Sequence, residues 1–362
     1  MLVTGFIRSG TTLLEKRLHS HPQICIASQP LPSLYLQTKK AFLREIGAIE
    51  DPYPLGNLFK ETRYNRRQFT QFLNQFTLSK SDIQTVCEGM RNYSGQGAPE
   101  LLDAPKIDGT LSEQFLYFND FYSDLVGKPG AIFCGAKEVF CEEFIDYFLA
   151  HDIPITLIIR SPLEVVRSIR FDHSSKYVNS LMSLVHIIRS WRKSVAYAIQ
   201  YANHTRFNFV LYEDLVHQPL DTLNGVTKNL GLESFSNESI THPILDQSGK
   251  LWRGNSSFKR PNAFVQEQCD ELSEHLINFV SATCAPEMNW LGIGKADGID
   301  HTSDWLVRTG LQLGLSKNEC EEENLRLEML SKNTKPSKSQ EELECWFVHK
   351  SAFDAIVSYD TH

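Results

Sequence analysis

The chain has no apolar run long enough to span a membrane, and its first residues lack a basic segment followed by a hydrophobic stretch. Membrane-spanning and secretory readings are therefore set aside. Residues 2–7, Leu-Val-Thr-Gly-Phe-Ile, read instead as a strand that begins almost at once. Basic excess is missing as well: 36 Lys and Arg stand against 44 Asp and Glu, a formal charge of −8. Proteins whose main partner is a nucleic-acid backbone carry surplus positive charge, so that class is excluded as the principal function. Cysteine occurs at Cys25, Cys87, Cys134, Cys141, Cys269, Cys284, Cys320 and Cys345, yet there is no C-x-x-C pair and no histidine at metal-ligand spacing. These thiols read as reduced, in a cytoplasmic protein. No internal repeat is visible.

What is present is the composition of a soluble globular protein, 41% hydrophobic and 22% charged over 362 residues, which excludes disordered, collagen-like and coiled-coil classes. Short apolar runs at 2–7, 24–27, 131–134, 155–159 and 207–212 have the near-continuous character of strands buried on both faces of a parallel sheet. Stretches of helical spacing lie between them, such as Phe144, Ile145, Phe148, Leu149 and Leu220, Leu223, Val226, Leu230. The fold class is therefore α/β, with a parallel sheet of about five strands flanked by helices. Residues from about 30 to 125 break the alternation and are rich in aromatics, which reads as a mostly helical insertion. From about 295 the apolar periodicity thins. Glu321-Glu322-Glu323 reads as a solvated helix and residues 335–339 as a linker.

The first strand leads into Gly5-Phe6-Ile7-Arg8-Ser9-Gly10-Thr11-Thr12 and then a helix, so backbone N–H groups converge where an anion could sit. The spacing G-x-x-x-x-G is that of a P-loop. A nucleoside-triphosphate enzyme places Lys next to meet the β- and γ-phosphates, whereas Thr11 stands here and Arg8 is the loop's cation. Downstream, strand 155–159 runs into Arg160-Ser161-Pro162, with Pro162 suited to a helix start and Arg160 at a strand's carboxyl end. Arg160, Arg167, Arg170, Lys176, Arg189, Arg192 and Lys193 follow, opposed locally by Glu164 and Asp172. Beside an anion loop, this basic segment suggests a second phosphate.

Together these residues resemble the sulfotransferases that use 3′-phosphoadenosine 5′-phosphosulfate (PAPS). The 5′-phosphosulfate loop of that family is similar to Arg8-Ser9-Gly10-Thr11-Thr12-Leu13-Leu14, with His21-Pro22 after the helix, and its 3′-phosphate motif to Arg160-Ser161-Pro162 with Ser168. Tyr212-Glu213-Asp214-Leu215-Val216 with Pro219 resembles the next strand-helix unit. Trp252-Arg253-Gly254-Asn255-Ser256-Ser257-Phe258 resembles the loop that closes over the nucleotide. The likeness spans roughly residues 1–294, the expected sulfotransferase domain, and leaves 295–362 as an extension of unknown role. The loop and its His-Pro are closer to the tyrosylprotein and bacterial branches than to the cytosolic steroid and phenol branch.

The resemblance implies a P-loop-containing sulfotransferase-like fold and PAPS as co-substrate, with no metal required. It also implies a small-molecule or carbohydrate acceptor, a hydroxyl or amine, and neither nucleic acid nor membrane as partner. PAPS carries two separate anionic groups and no γ-phosphate, which suits a loop without the lysine. The residues implied to hold it are Arg8, Ser9, Gly10, Thr11, Thr12, Arg160, Ser168, Tyr212, Trp252, Arg253, Gly254 and Asn255. Lys137, in Gly135-Ala136-Lys137-Glu138-Val139, resembles the family lysine on the leaving group, and Arg8 shares that catalytic role. The positions that relatives use for a general base hold Gln29 and Val139 here, so His173 is the candidate base, with Asp172 and Glu138 behind it. Two other readings remain open: a P-loop kinase using ATP, against which Thr11 speaks, and a non-catalytic nucleotide-binding relative. A 3′-phosphate site at Arg160 and Ser168 predicts that 3′-phosphoadenosine 5′-phosphate (PAP) binds more tightly than AMP. A charge-assisted hydrogen bond is worth about 1.5–3 kcal/mol, or roughly ten- to a hundredfold in affinity. Equal calorimetric affinities for the two nucleotides would remove that site.

Overall fold

The five apolar runs become one sheet in the computed structural model, which describes residues 1–47, 66–91, 101, 103–171, 182–241, 243–244, 251–252, 272–293 and 302–331. The chain runs β1 (Leu2–Thr4), α1 (Thr11–His19), β2 (Ile24–Ser28), α2 (Pro32–Glu45), α3 (Arg66–Gln75), β3 (Thr77–Leu78), α4 (Lys80–Arg91) and β4 (Gly109–Thr110). It continues through α5 (Leu111–Leu125), β5 (Phe133–Lys137), α6 (Ile145–Ala150), β6 (Ile155–Ile159), α7 (Pro162–Phe171), α8 (Leu184–Tyr201) and β7 (Phe207–Leu211). The last described elements are α9 (Tyr212–His217), α10 (Pro219–Asn229), α11 (Asn237–Thr241), α12 (Glu274–Leu291), α13 (Ser303–Gln312) and α14 (Lys317–Ser331). They form two compact units, Met1–Ile158 with Tyr201–Trp252, and Ile159–Gln200 with Arg253–His362.

In the first unit the strand order is β2-β5-β1-β6-β7, with β5 parallel to both β1 and β2 and β1 parallel to β6. From β1 the chain moves to one side of the sheet for β2 and later to the other for β6. Such a reversal opens a crevice at the carboxyl ends of the central strands, where open α/β sheets bind ligands. Strands β1, β2 and β6 are buried along their whole length, as continuous apolar sequence requires. Leu13, Leu14 and Leu18 of α1 pack with Val3, Ile26 and Ile158 to cover the sheet.

Two strand boundaries differ from the sequence reading. The first strand ends at Thr4, although Phe6 and Ile7 stay buried in the loop that follows. The strand expected at 131–134 is β5, Phe133–Lys137. Ile132 is 60% exposed, while Gly135 and Lys137, residues of poor strand character, lie inside the ladder. Glycine is required at 135 because a Cβ there would stand 2.0 Å from the Met1 carbonyl oxygen.

Helices α2 to α5 occupy the described part of the aromatic-rich stretch, with β3 and β4 as a short antiparallel ladder. Helical spacing sorts its rings: Phe115, Phe118 and Tyr122 of α5 are buried and Leu116 is exposed. Phe69 meets Phe42 at 4.9 Å and Phe144 at 5.3 Å between ring centroids, and Phe115 meets Phe148 at 4.9 Å, so this stretch shares the core around α6.

The second unit corrects two expectations. The glutamate run at 321–323 is a solvated face only in part: Glu321 is exposed, whereas Glu323 of α14 is buried and takes both guanidinium nitrogens of Arg192 at 2.6 and 2.9 Å. Arg189 adds bonds to Glu323 at 2.9 Å and Glu322 at 2.8 Å. Arg189 and Arg192 therefore serve an internal ion network rather than a free basic face for a phosphate. Arg326 completes it, paired with Glu287 and donating to the Thr283 carbonyl at 3.1 Å. Residues 335–339 lie outside the described residues. Among the described cysteines, Cys25, Cys87, Cys134, Cys141, Cys284 and Cys320 are free thiols. No described helix is long and apolar enough to cross a membrane.

Burial alone would push the Glu323 carboxyl up, but Arg192 and Arg189 outweigh it and hold the group at about 2, below its ordinary 4.5. A carboxyl depressed in the folded state stabilises fully above its unfolded value, and the contribution is lost as pH falls through the folded value. Glu323→Ala leaves the buried Arg192 guanidinium without its counter-ion and the half-buried Arg189 with Glu322 alone, and should cost about 3–5 kcal/mol in urea unfolding at pH 7. The deficit should shrink between pH 4.5 and 2, and an unchanged urea midpoint at pH 7 would refute the network's role.

Candidate active site

The carboxyl edge of the sheet is where backbone strain collects. Among the described residues other than glycine, Arg8, Gln29, Phe140 and Asp152 have left-handed φ values, and the first three follow β1, β2 and β5. Such conformations persist only where surrounding structure holds them, and they concentrate at ligand sites. Hydrogen bonds and rings hold them here. The Gln29 amide donates to the Lys137 carbonyl at 2.8 Å, and the Phe140 ring meets Phe6 edge-on at 5.3 Å. Lys39 of α2 donates to the Phe140 carbonyl at 2.7 Å and pairs with Glu143 at 3.0 Å.

The loop after β1 has the geometry of an anion cradle. Gly5 lets the chain pass β6, since a Cβ there would lie 2.4 Å from the Ile158 carbonyl oxygen. The Ser9 amide donates to the Phe6 carbonyl at 3.2 Å, closing the turn, and Arg8 is half-buried at φ 66°. Gly10, at φ 92°, is the residue before α1, and no side chain caps this helix end. The positive end of the helix dipole at this terminus favours an anion. Tyr212, the first residue of α9, lies against Gly10 so closely that a Cβ would stand 2.3 Å from its ring.

Lys137 ends β5, with Val3 and Ser28 as its neighbours in the sheet. A lysine at a strand end is ordinarily a surface group, yet this one is 1% exposed. No described residue hydrogen-bonds its ammonium. Burial lowers its pKa, with attraction from Glu15 and Glu138 opposing that and Lys16 adding to it. Glu138 is buried too, its Oε1 accepting from the Leu31 amide at 3.1 Å. Burial pushes its carboxyl up to about 8, against the pull of the Leu31 amide and Lys137.

Arg8, Ser9, Gly10, Thr11, Thr12, Lys137, Tyr212 and Trp252 all belong to the first unit. Trp252 packs on the edge of its core and donates its amide to the Ile244 carbonyl at 2.8 Å. Arg160 and Ser168 belong to the second. There Pro162 opens α7 as expected, Arg160 pairs with Glu164 at 3.4 Å, and the Arg160 carbonyl accepts from the Trp191 indole at 2.7 Å. His173, Arg253, Gly254 and Asn255 lie outside the described residues, as does Asp172. Glu15, buried on α1, is the charged neighbour of Lys137 that sequence reasoning missed. Its only local signal is a carboxylate inside the apolar stripe of Leu13, Leu14 and Leu18.

The α/β sheet thus carries a glycine-bearing turn after β1 and a buried lysine at the end of β5. The sulfotransferase family model matches residues 1–237, and the chain belongs to that family. Trp252, Arg253, Gly254 and Asn255 fall beyond the match. Among solved structures, the sulfotransferase domain from the curacin biosynthetic pathway is 16% identical at a TM-score of 0.38, covering 87% of this chain and 97% of that one. The sulfotransferase domain from the Synechococcus PCC 7002 olefin synthase is 15% identical at a TM-score of 0.33, covering 86% and 91%. No curated protein matches the chain.

Alanine at position 10 must take a left-handed backbone and collide with the Tyr212 ring. Gly10→Ala should cost about 1–3 kcal/mol of stability and weaken PAP binding. A variant that melts and binds like the wild type would show that the cradle tolerates a side chain.

Proposed function

We propose that the protein is a sulfotransferase that moves the sulfuryl group of PAPS to a hydroxyl or amine of a small-molecule or carbohydrate acceptor. The observation that carries this reading is Lys137, a buried ammonium for which no described residue supplies a hydrogen bond, at the same sheet edge as an uncapped helix N-terminus. A buried ammonium without a hydrogen-bond acceptor among the described residues is costly, so a site of this kind suits an anionic ligand. When bound, PAPS supplies a sulfuryl group attached to a phosphate that can leave. Arg8 and the amides of Ser9 to Thr12 are assigned to the 5′-phosphosulfate, and Arg160 with Ser168 to the 3′-phosphate. Tyr212, Trp252, Arg253, Gly254 and Asn255 complete the nucleotide-binding set.

Lys137 meets the negative charge that grows on the leaving phosphate oxygen as its bond to sulfur breaks. A preorganised charge of this kind acts most strongly in the transition state. The acceptor's proton must go to a base, for which His173 stays the assigned residue. The reading includes no resident metal, a cytoplasmic location, and neither nucleic acid nor membrane as partner. An ATP-using kinase fits less well, because Thr11 stands where such an enzyme needs its lysine.

The test is incubation with PAPS and a panel of acceptor classes, scored by mass gain of the acceptor. Sulfation of some member supports transfer, whereas PAP binding without turnover across the panel would mark a non-catalytic relative. Lys137→Ala should keep PAP affinity within a few-fold while slowing transfer by about 10²–10³. Wild-type turnover in that variant would remove Lys137 from the leaving-group role.

A further inference from the structure

We propose that Phe140 is a positioning residue of the donor-binding loop: clamped by Lys39 of the aromatic-rich insertion, it braces Gly5 and Phe6 and so fixes the turn that leads into Ser9 and Gly10. This rests on the reading of that loop as the cradle of the donor's phosphosulfate.

The segments that leave β1 and β5 stay joined beyond the strands. After the register that sets Val3 opposite Lys137, the Glu138 amide donates to the Val3 carbonyl at 2.9 Å and the Phe140 amide to the Gly5 carbonyl at 3.4 Å. The Phe140 ring meets Phe6 edge-on with centroids 5.3 Å apart, and both rings are buried. The Phe6 carbonyl accepts from the Ser9 amide at 3.2 Å, so the residue that Phe140 touches is also the one that closes the turn before Gly10. A Cβ at Gly5 would stand 2.4 Å from the Ile158 carbonyl oxygen, so the loop backbone also rests against β6.

Helix α2 holds Phe140 in place. Lys39, 2% exposed, donates to the Phe140 carbonyl at 2.7 Å and to Glu143 Oε2 at 3.0 Å, with the Phe144 ring centroid 5.7 Å from its ammonium. Desolvating such a pair is offset only where further hydrogen bonds are made, and the bond to the carbonyl is one. The same helix is tied at its start, where Leu31 supplies no side-chain cap and its amide donates to Glu138 Oε1 at 3.1 Å. Residues 138–143 therefore meet α2 at Leu31 and Lys39, and the segment after β1 at Val3, Gly5 and Phe6. Phe140 has φ 58°, a backbone that glycine adopts without strain and that a side chain disfavours. Stability of the turn alone would favour glycine; what phenylalanine adds is the ring against Phe6. Strain of this kind concentrates where a ligand must be held.

The experiment measures two properties of Phe140→Gly: PAP affinity by calorimetry, and deuterium exchange of the backbone amides of residues 6–12 by mass spectrometry. PAP should bind about tenfold more weakly. The loop amides should exchange about tenfold faster. Phe140→Leu, which returns an apolar side chain to Phe6, should recover most of both. Lys39→Met combined with Glu143→Gln unties the Phe140 carbonyl without leaving a buried carboxylate unpaired. That double variant should reproduce both effects from the α2 side, and it serves if Phe140→Gly fails to fold. Phe115→Leu controls for lost stability, because Phe115 packs on Phe148 at 4.9 Å within the insertion core. It should melt lower yet keep PAP affinity and loop exchange within about twofold of the wild type. Unchanged loop exchange in Phe140→Gly, a loosened loop with wild-type PAP affinity, or equal loosening in Phe115→Leu each overturns the proposal. If the wild type does not bind PAP, the donor reading fails, while loop exchange still decides whether Phe140 holds the turn.

Discussion

Pairing of β5 between β2 and β1 sets the positions of Lys137 and Glu138 at the sheet edge of the first unit. The register that puts Ala136 opposite Leu2 and Lys137 opposite Val3 depends on glycine at 135, because the neighbouring backbone occupies the space a side chain would need. From that register Lys137 emerges at the carboxyl end of the sheet while staying inside it. The Glu138 amide donates to the Val3 carbonyl at 2.9 Å and the Gln29 amide to the Lys137 carbonyl at 2.8 Å, so the chains leaving β2 and β5 are fixed to each other. The left-handed residues after these strands are consequences of the same packing.

Burial is what sets these groups apart from ordinary surface charges. An ammonium in water has its charge satisfied by solvent; the same group at 1% exposure depends on the few charges and dipoles around it. The start of α1, where Gly10 offers no side-chain cap, Arg8 in the loop and Lys137 at the end of β5 all favour negative charge. Glu15 is the exception, and its carboxylate belongs to the helix that also presents the cradle.

The second unit solves a different electrostatic problem. Arg189, Arg192 and Arg326 from α8 and α14 are matched by Glu287, Glu322 and Glu323 from α12 and α14. A bidentate pair such as Arg192 with Glu323 needs both partners in place, which makes α14 part of the folded unit rather than an appended tail. Gly310 of α13 supports the same packing, since a Cβ there would come within 2.6 Å of the Cys320 sulfur.

The sequence by itself determined the α/β class, the five strand sites to within a few residues, the loop from Gly5 to Thr12 and the lysine worth watching. These are local properties: apolar runs, glycine spacing and a proline at the start of α7 are visible within a window of a dozen residues. Tertiary structure alone decided which charges are partners. Glu323 lies more than a hundred residues from Arg192, and its run of glutamates reads locally as a solvated face. The same holds for Lys137, a charged residue beside Glu138 whose burial at a strand end the local sequence does not show, and for Glu15, a carboxylate within the apolar stripe of α1 whose burial only the packing reveals. Coulomb interaction depends on distance in space and on exclusion of water, and neither quantity is written in the local order of residues.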